Sequence, residues 1–154
     1  MLQREQWVNA LTAHPAQTVK ELAAQFASQY VVTHTRLPQT GLGLLKIRDG
    51  AFHDNFYLGE IPISTCDVEV RISDGRSVTG GAQVMADDAE LARALAILDA
   101  ILAAELPGWE TITDYLQSGA ELREKEAHRR HTVLNETRVD FSLLSAADRD
   151  EDEN

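Results

Sequence analysis

The chain has 154 residues, with 14 lysines and arginines against 25 aspartates and glutamates, which gives a net charge of −11. Its 44% hydrophobic and 25% charged residues are typical of one globular domain and exclude a disordered chain or a fibrous repeat. The negative charge argues against general binding of DNA or RNA, because an anionic surface repels phosphate.

Two short helices are predicted at the N-terminus. The first covers residues 4–13, where Trp7 and Leu11 share one face, and it ends before Pro15 because proline disfavours helical geometry in the residue that precedes it. The second covers residues 16–28, where apolar side chains recur at helical spacing. We expect the two to form a helical hairpin.

Five segments rich in β-branched and apolar residues follow, and they predict an antiparallel β-meander of about four strands. We expect turns at residues 38–41 and 48–50 and a break at 59–60. The strand segments cover residues 30–37, 42–47, 52–58, 66–72 and 76–85.

The turn at residues 73–75 allows the register of the last hairpin to be predicted. A three-residue loop pairs Val70 with Val78 and keeps the apolar residues of both strands on one face, whereas a two-residue loop mixes the faces. We therefore expect a type I turn through Asp74 with Gly75 in the left-handed conformation.

A long helix is predicted over residues 89–106. Asp87-Asp88 precedes it, and an aspartate there accepts the free amide hydrogens of the first turn. The helix has two adjacent apolar stripes, so we expect it to pack between two layers or between subunits. Charged residues interrupt its apolar stretch, which is shorter than the roughly 20 residues of a membrane span.

The C-terminal part of the chain has the pattern of an arm. Helices are predicted at residues 109–116 and from 120 to about 135, with a joint at Ser118-Gly119, and residues 138–143 alternate like a strand. The second helix is polar nearly all round and makes a poor apolar stripe. We expect one α+β domain over residues 1–147, with the arm starting at about 118, and a disordered acidic tail at 148–154.

Cys66 is the single cysteine, so no intrachain disulfide can form, and a cytoplasmic location is expected. Its inward position in an alternating strand favours a small buried hydrophobe over a nucleophile. The N-terminus lacks the form of a signal peptide, and neither membrane nor nucleic-acid partners are expected.

Two clusters in the C-terminal part of the chain each have a chemical and a structural interpretation. Glu124, His128 and His131 share a face and have the residue types that bind zinc, or they form a solvated surface. A basic cluster could meet a phosphate or an acidic partner surface, or it pairs within the helix, Glu121 with Lys125 and Glu126 with Arg130, both at i, i+4. The basic residues are Lys125, Arg129, Arg130 and Arg138.

Several stretches match the motifs of one protein family, in the same order and at similar spacing. They are Arg4 with Trp7, R-L-P-Q-T-G-L at 36–42, F-Y-L-G-E at 56–60, V-R-I-S-D-G at 70–75, the helix at 89–100 and T-R-V-D-F at 137–141. The chain therefore resembles the PhnG family, which are small subunits of the carbon–phosphorus lyase core complex, over almost its whole length.

The resemblance implies that the chain functions as one subunit of a multi-subunit complex. PhnG-like proteins assemble with three other subunits, one of them nucleosidase-like. They support transfer of a phosphonate such as methylphosphonate to ribose 5-triphosphate, with adenine displaced from ATP, which gives α-D-ribose 1-methylphosphonate 5-triphosphate. The catalytic groups reside largely in the nucleosidase-like partner, so no catalytic, metal-binding or cofactor-binding residue is assigned here. The chain alone is expected to bind no cofactor.

The resemblance also suggests residues that shape the assembly. An intersubunit clasp is assigned to Arg138, Val139, Asp140 and Phe141, with packing on the chain's own core as the alternative. Turns that shape the complex are assigned to Gly41, Gly59, Glu60, Asp74 and Gly75.

Two other functions stay open at this point. Cys66 and Asp87 stand where the family tends to carry arginine, which favours a divergent relative without an ATP-derived substrate. Such a protein would be a non-catalytic, self-associating scaffold or binding protein. An independent enzyme that depends on a metal or on the thiol is the third possibility. An oligomer is expected for the complex subunit and for the self-associating scaffold.

Overall fold

The structure of the protein, a computed structural model, describes residues 2–73 and 75–137. The chain divides into two compact units, Met1–Glu121 and Leu122–Asn154. The first unit contains a three-stranded antiparallel sheet, three helices and the start of a fourth. The described residues therefore have the predicted α+β fold, and none of their helices is long and apolar enough to cross a membrane.

Helices α1 (Arg4–Leu11) and α2 (Ala16–Ala27) are the two helices predicted at the N-terminus. Each contacts the first helix after the sheet more than it contacts the other, so the predicted helical hairpin is not confirmed. Pro15 separates them and occupies the N-cap position of α2, where its missing amide hydrogen costs no helical hydrogen bond. Their buried residues, which include Trp7 and Phe26, belong to one core.

The sheet consists of strands β1 (Val31–Arg48), β2 (Asn55–Arg71) and β3 (Ser77–Val84), in the order β1-β2-β3. The prediction of about four strands is wrong for the described residues. Residues 31–37 and 42–47 belong to the single strand β1, and 52–58 and 66–72 fall largely in β2.

The turns predicted at residues 38–41 and 59–60 are absent from the described sheet, so the turn assignments of Gly41, Gly59 and Glu60 need correction. Gly41 pairs with Ile63 and Gly59 pairs with Leu45 inside the β1–β2 ladder. The ladder continues through these residues with register shifts at 34–36, 36–39 and 45–46. Proline is tolerated in this region because β1 is an edge strand.

The register of the β2–β3 hairpin is as predicted. Val70 pairs with Val78, and Gly75 has a φ of +88°, which is the left-handed region that favours glycine. The amide of Gly75 donates to the carbonyl oxygen of Ile72 at 3.0 Å, which closes the turn. Asp74 lies outside the described residues.

Helix α3 (Ala89–Ala103) lies between the sheet on one side and α1 and α2 on the other, which confirms packing between two layers. Its cap is also as predicted, because the Asp88 carboxylate accepts a hydrogen bond from the Leu91 amide at 2.9 Å. A Cβ atom at Gly80 of β3 would lie 2.2 Å from the Ala96 carbonyl oxygen, so glycine permits this close approach of helix and sheet.

Helix α4 (Trp109–Glu136) is continuous, so the predicted joint at Ser118-Gly119 is wrong. Gly119 serves packing instead. A Cβ atom there would lie 2.1 Å from the carbonyl oxygen of Ala10, and glycine therefore allows α4 to approach α1 closely. The second unit begins at Leu122 and, among the described residues, contains the end of this helix and Thr137.

Candidate partner-binding surface

Half of the β1–β2 hairpin extends past β3. Strand β3 pairs with β2 from Ser64 to Arg71, whereas β1 continues to pair with β2 as far as Asn55. We call residues 41–48 and 55–63 the ribbon. Within the described part of the chain, the ribbon is a two-stranded ladder with an open edge along each strand. Such an edge exposes unpaired backbone donors and acceptors.

The ribbon exposes large apolar side chains. Six of them are between 41% and 69% exposed: Leu42, Leu44, Leu45, Phe56, Tyr57 and Leu58. Apolar surface on this scale marks an interaction site more often than it marks ordinary surface.

The register assigns these side chains to two faces. The inner face is the side of the sheet on which Val68 and Val70 pack against α3, and in the ribbon it carries apolar residues together with Lys46, Arg48 and Glu60. The outer face is the opposite side. In the ribbon its eight members are uncharged: Gly41, Gly43, Leu45, Ile47, Phe56, Gly59, Ile61 and Ile63.

Three of the eight members of the outer face are glycines and lack a side chain. A Cβ atom at Gly43 would lie 2.5 Å from Cδ1 of Ile63, so the isoleucine lies over the glycine. A Cβ atom at Gly41 or Gly59 would meet nothing within 4 Å. These two positions therefore leave room for another surface to approach the backbone.

The tip of the ribbon is held by local hydrogen bonds. The Asp49 carboxylate accepts from the amides of Ala51 and Phe52, and Arg48 Nε donates to the His53 carbonyl oxygen at 3.1 Å. His53 has a positive φ of 59° at the reversal of the chain. The geometry of the tip is therefore set by its own polar groups.

A network centred on Ser64 marks the base of the ribbon. The buried Ser64 hydroxyl donates to the carbonyl oxygen of Ala86 at 2.7 Å, accepts from the Asp88 amide at 3.0 Å and lies 2.8 Å from the Thr40 hydroxyl. Asp88 is also paired with Lys20, at 2.7 Å. The hydrogen bond from Lys20 is the largest cause of a lowered pKa at Asp88. Both ribbon strands are thus fixed to the start of α3.

A second polar cluster covers the edge of β3. The Asp99 carboxylate accepts from Arg4 Nε at 2.9 Å and from Nη2 at 2.6 Å, and it also accepts from the Gly81 amide at 2.9 Å. The hydrogen bond to Asp99 is the main cause of a raised pKa at Arg4. This arrangement ties α1, α3 and β3 together and satisfies one of the free amides of an edge strand.

The candidate nucleophile, the Cys66 thiol, lies in the core of the protein. Cys66 is fully buried, its thiol donates to the Arg36 carbonyl oxygen at 3.5 Å, and burial raises its pKa. A protonated, buried thiol is a poor nucleophile.

The described stretch of α4 pairs its charges locally. Glu126 accepts hydrogen bonds from Arg129 and Arg130, and these bonds lower its pKa to about 2. The pair with Arg130 is as predicted, whereas the predicted pair of Glu121 with Lys125 is not formed among the described residues. His131 contacts Asn135 at 3.0 Å. The described residues, which include Glu124 and His128, contain no group of three side chains that could hold a metal.

A comparison with protein-family models decides the family. The model described as phosphonate metabolism protein PhnG matches residues 2–145. The chain belongs to the PhnG family. Membership assigns it to phosphonate metabolism as a subunit of the multi-subunit carbon–phosphorus lyase complex. A search of curated proteins finds no match.

The structure locates the stretches that carry the resemblance to the PhnG family. Arg4 and Asp99, from two different motifs, form the ion pair beside β3. Gly41, Gly59 and Glu60 lie in the ribbon. The proposed clasp, Arg138 to Phe141, lies outside the described residues and stays a prediction.

Sequence reasoning missed the ribbon as a surface. Its pattern was nevertheless visible, because Leu44-Leu45 and Phe56-Tyr57-Leu58 place apolar residues at successive positions of strand segments. Such runs put apolar side chains on both faces of the strand. Continuous apolar runs of this kind are typical of strands that are covered on both faces.

Proposed function

We propose that the chain is an assembly subunit of the phosphonate transferase and that the nucleosidase-like subunit is its direct partner. In the reaction it supports, the bond between C1′ of ATP and adenine N9 breaks. A bond from C1′ to an oxygen of a phosphonate such as methylphosphonate forms, and adenine leaves with a proton. The product is α-D-ribose 1-methylphosphonate 5-triphosphate.

The ribbon is the observation that carries the proposal. Its six exposed apolar side chains lie beyond β3, where the described helices do not cover them. A subunit of a complex accounts for such a surface, because a partner buries it on assembly. In this function the chain contributes no cofactor of its own and works in the cytoplasm.

Reconstitution of the complex tests the proposal. The core subunits are co-expressed with and without this chain, and adenine release from ATP is measured in the presence of methylphosphonate. We expect the complete set to elute as one complex and to release adenine at least tenfold faster than the set without the chain.

Two results would contradict this function. One is full adenine release by the set that lacks the chain. The other is elution of the chain as a homo-oligomer that ignores the nucleosidase-like subunit, measured by size-exclusion chromatography with light scattering. That second result would favour the self-associating scaffold.

A further inference from the structure

We propose that the ribbon inserts into a cleft of another subunit, which covers both of its faces and offers a carboxylate to Lys46. This inference rests on the proposed function and specifies how the subunits would dock. The occupant is a different protein whose cleft has one apolar, uncharged wall and one apolar wall with an acidic group.

The distribution of apolar groups requires two walls. Leu45, Ile47 and Phe56 lie on the outer face of the ribbon, whereas Leu42 and Leu44 lie on the inner face. A flat partner would cover one of these sets and leave the other in water. A cleft covers both, and it reaches the backbone where Gly41 and Gly59 leave open space.

The area that the ribbon offers argues against a second copy of this chain. Eight residue pairs at about 3.3 Å each give a ladder about 26 Å long, and two strands about 4.8 Å apart give a width of about 10 Å. Two copies packed face to face would bury roughly 500 Å² in total, which is the size of an incidental contact. A cleft around both faces buries on the order of 1,000 Å², the lower limit of a specific interface.

Charge supports the same choice. Each copy carries a net charge of −11, so two copies repel each other. The two ribbon faces also differ, because the outer face has no charged member and the inner face carries Lys46, Arg48 and Glu60, a net charge of +1. Arg48 already donates to the backbone at His53. Lys46 is therefore the cation that a carboxylate on the inner wall would meet.

Photo-cross-linking in the assembled complex tests the geometry. A benzophenone amino acid replaces Leu44 on the inner face, Ile61 on the outer face, or Val31 at the far end of β1 as an exposed control. We expect Leu44 and Ile61 to cross-link to the same foreign subunit with yields at least tenfold above the Val31 control.

Three other results would each contradict a defined part of the proposal. If Ile61 links to a second copy while Leu44 stays unlinked, the ribbon pairs with itself. If the complex forms but both positions react no more than Val31, the ribbon is not inserted, although the proposed function stands. If no complex forms with the wild-type chain, the proposed function itself fails.

The carboxylate on the inner wall has its own test. We expect Lys46→Glu to weaken assembly roughly tenfold and Lys46→Arg to leave it unchanged, as measured by titration of the partner. Circular dichroism of both variants checks that the chain is folded. Unchanged assembly of a folded Lys46→Glu chain would show that no carboxylate faces Lys46.

Discussion

Strand β2 passes through two regions that differ in strand pairing and in burial. From Ser64 to Arg71 it lies between β1 and β3, and Cys66, Val68 and Val70 are fully buried against α3. From Asn55 to Ile63 it pairs with β1 alone, and Phe56, Tyr57 and Leu58 are exposed.

The difference shows that neighbouring elements, more than residue type, decide which strand residues form the core. Val70 and Leu58 are both apolar, yet one is fully buried and the other is 63% exposed. Because burial of apolar area is the main stabilising contribution to folding, we expect the body of the sheet to hold the fold together. We expect the ribbon to contribute little until a partner covers it.

The largest difference in the free energy of unfolding is expected between Gly80→Ala in the body of the sheet and Gly59→Ala in the ribbon. In Gly80→Ala the new Cβ atom lies 2.2 Å from the Ala96 carbonyl oxygen and 2.5 Å from the Ala100 amide, so α3 must move away from the sheet. We expect a loss of about 3 kcal/mol in the free energy of unfolding, measured with urea. Gly59→Ala in the ribbon meets nothing within 4 Å and should change it by less than about 0.5 kcal/mol. Equal losses would remove the contrast between the regions.

A smaller effect is expected at the edge of β3. Arg4→Met removes two hydrogen bonds from the nearly buried Asp99 and leaves the carboxylate with the Gly81 amide. Because the Arg4 side chain is half exposed, we expect a loss of about 1–2 kcal/mol in the free energy of unfolding. The Asp99→Asn variant and the double variant complete a cycle. Strictly additive losses would show that the two side chains are not coupled.

The smallest effect is expected at the base of the ribbon and depends on pH. The lowered pKa of Asp88 means that its pair with Lys20 stabilises the fold above the unfolded pKa of 3.8. This contribution is lost as the pH falls through the lower pKa of the folded state. We expect Lys20→Met to cost about 0.5–1 kcal/mol at pH 6 and less at pH 3, below the unfolded pKa of Asp88. A cost that stays constant between these pH values would contradict the assignment.

The sequence predicts the body of the fold well because local and long-range patterns agree there. Alternation over residues 66–72 and glycine at position 75 both favour one register, and the structure has it. The cap at Asp88 and the wide apolar arc of α3 likewise define a helix between two layers.

The errors occur where glycine or proline lies inside a regular element. Pro38, Gly59 and Gly119 all suggest breaks, yet each lies inside a regular element. Glycine is needed at position 119 because the backbone of Ala10 lies against it. Ala10 is far away in the chain, so this contact cannot be inferred from the local sequence pattern. The ribbon was missed for the same reason, because its exposure depends on where β3 ends.

The exposed ribbon has a consequence for the fate of the chain in a cell. A copy made in excess of its partners would display Phe56-Tyr57-Leu58 continuously, and chaperones and proteases recognise such extended apolar segments. We expect unassembled copies to be degraded and assembled copies to persist. The amount of this protein would then follow the supply of its partner, without any dedicated regulator.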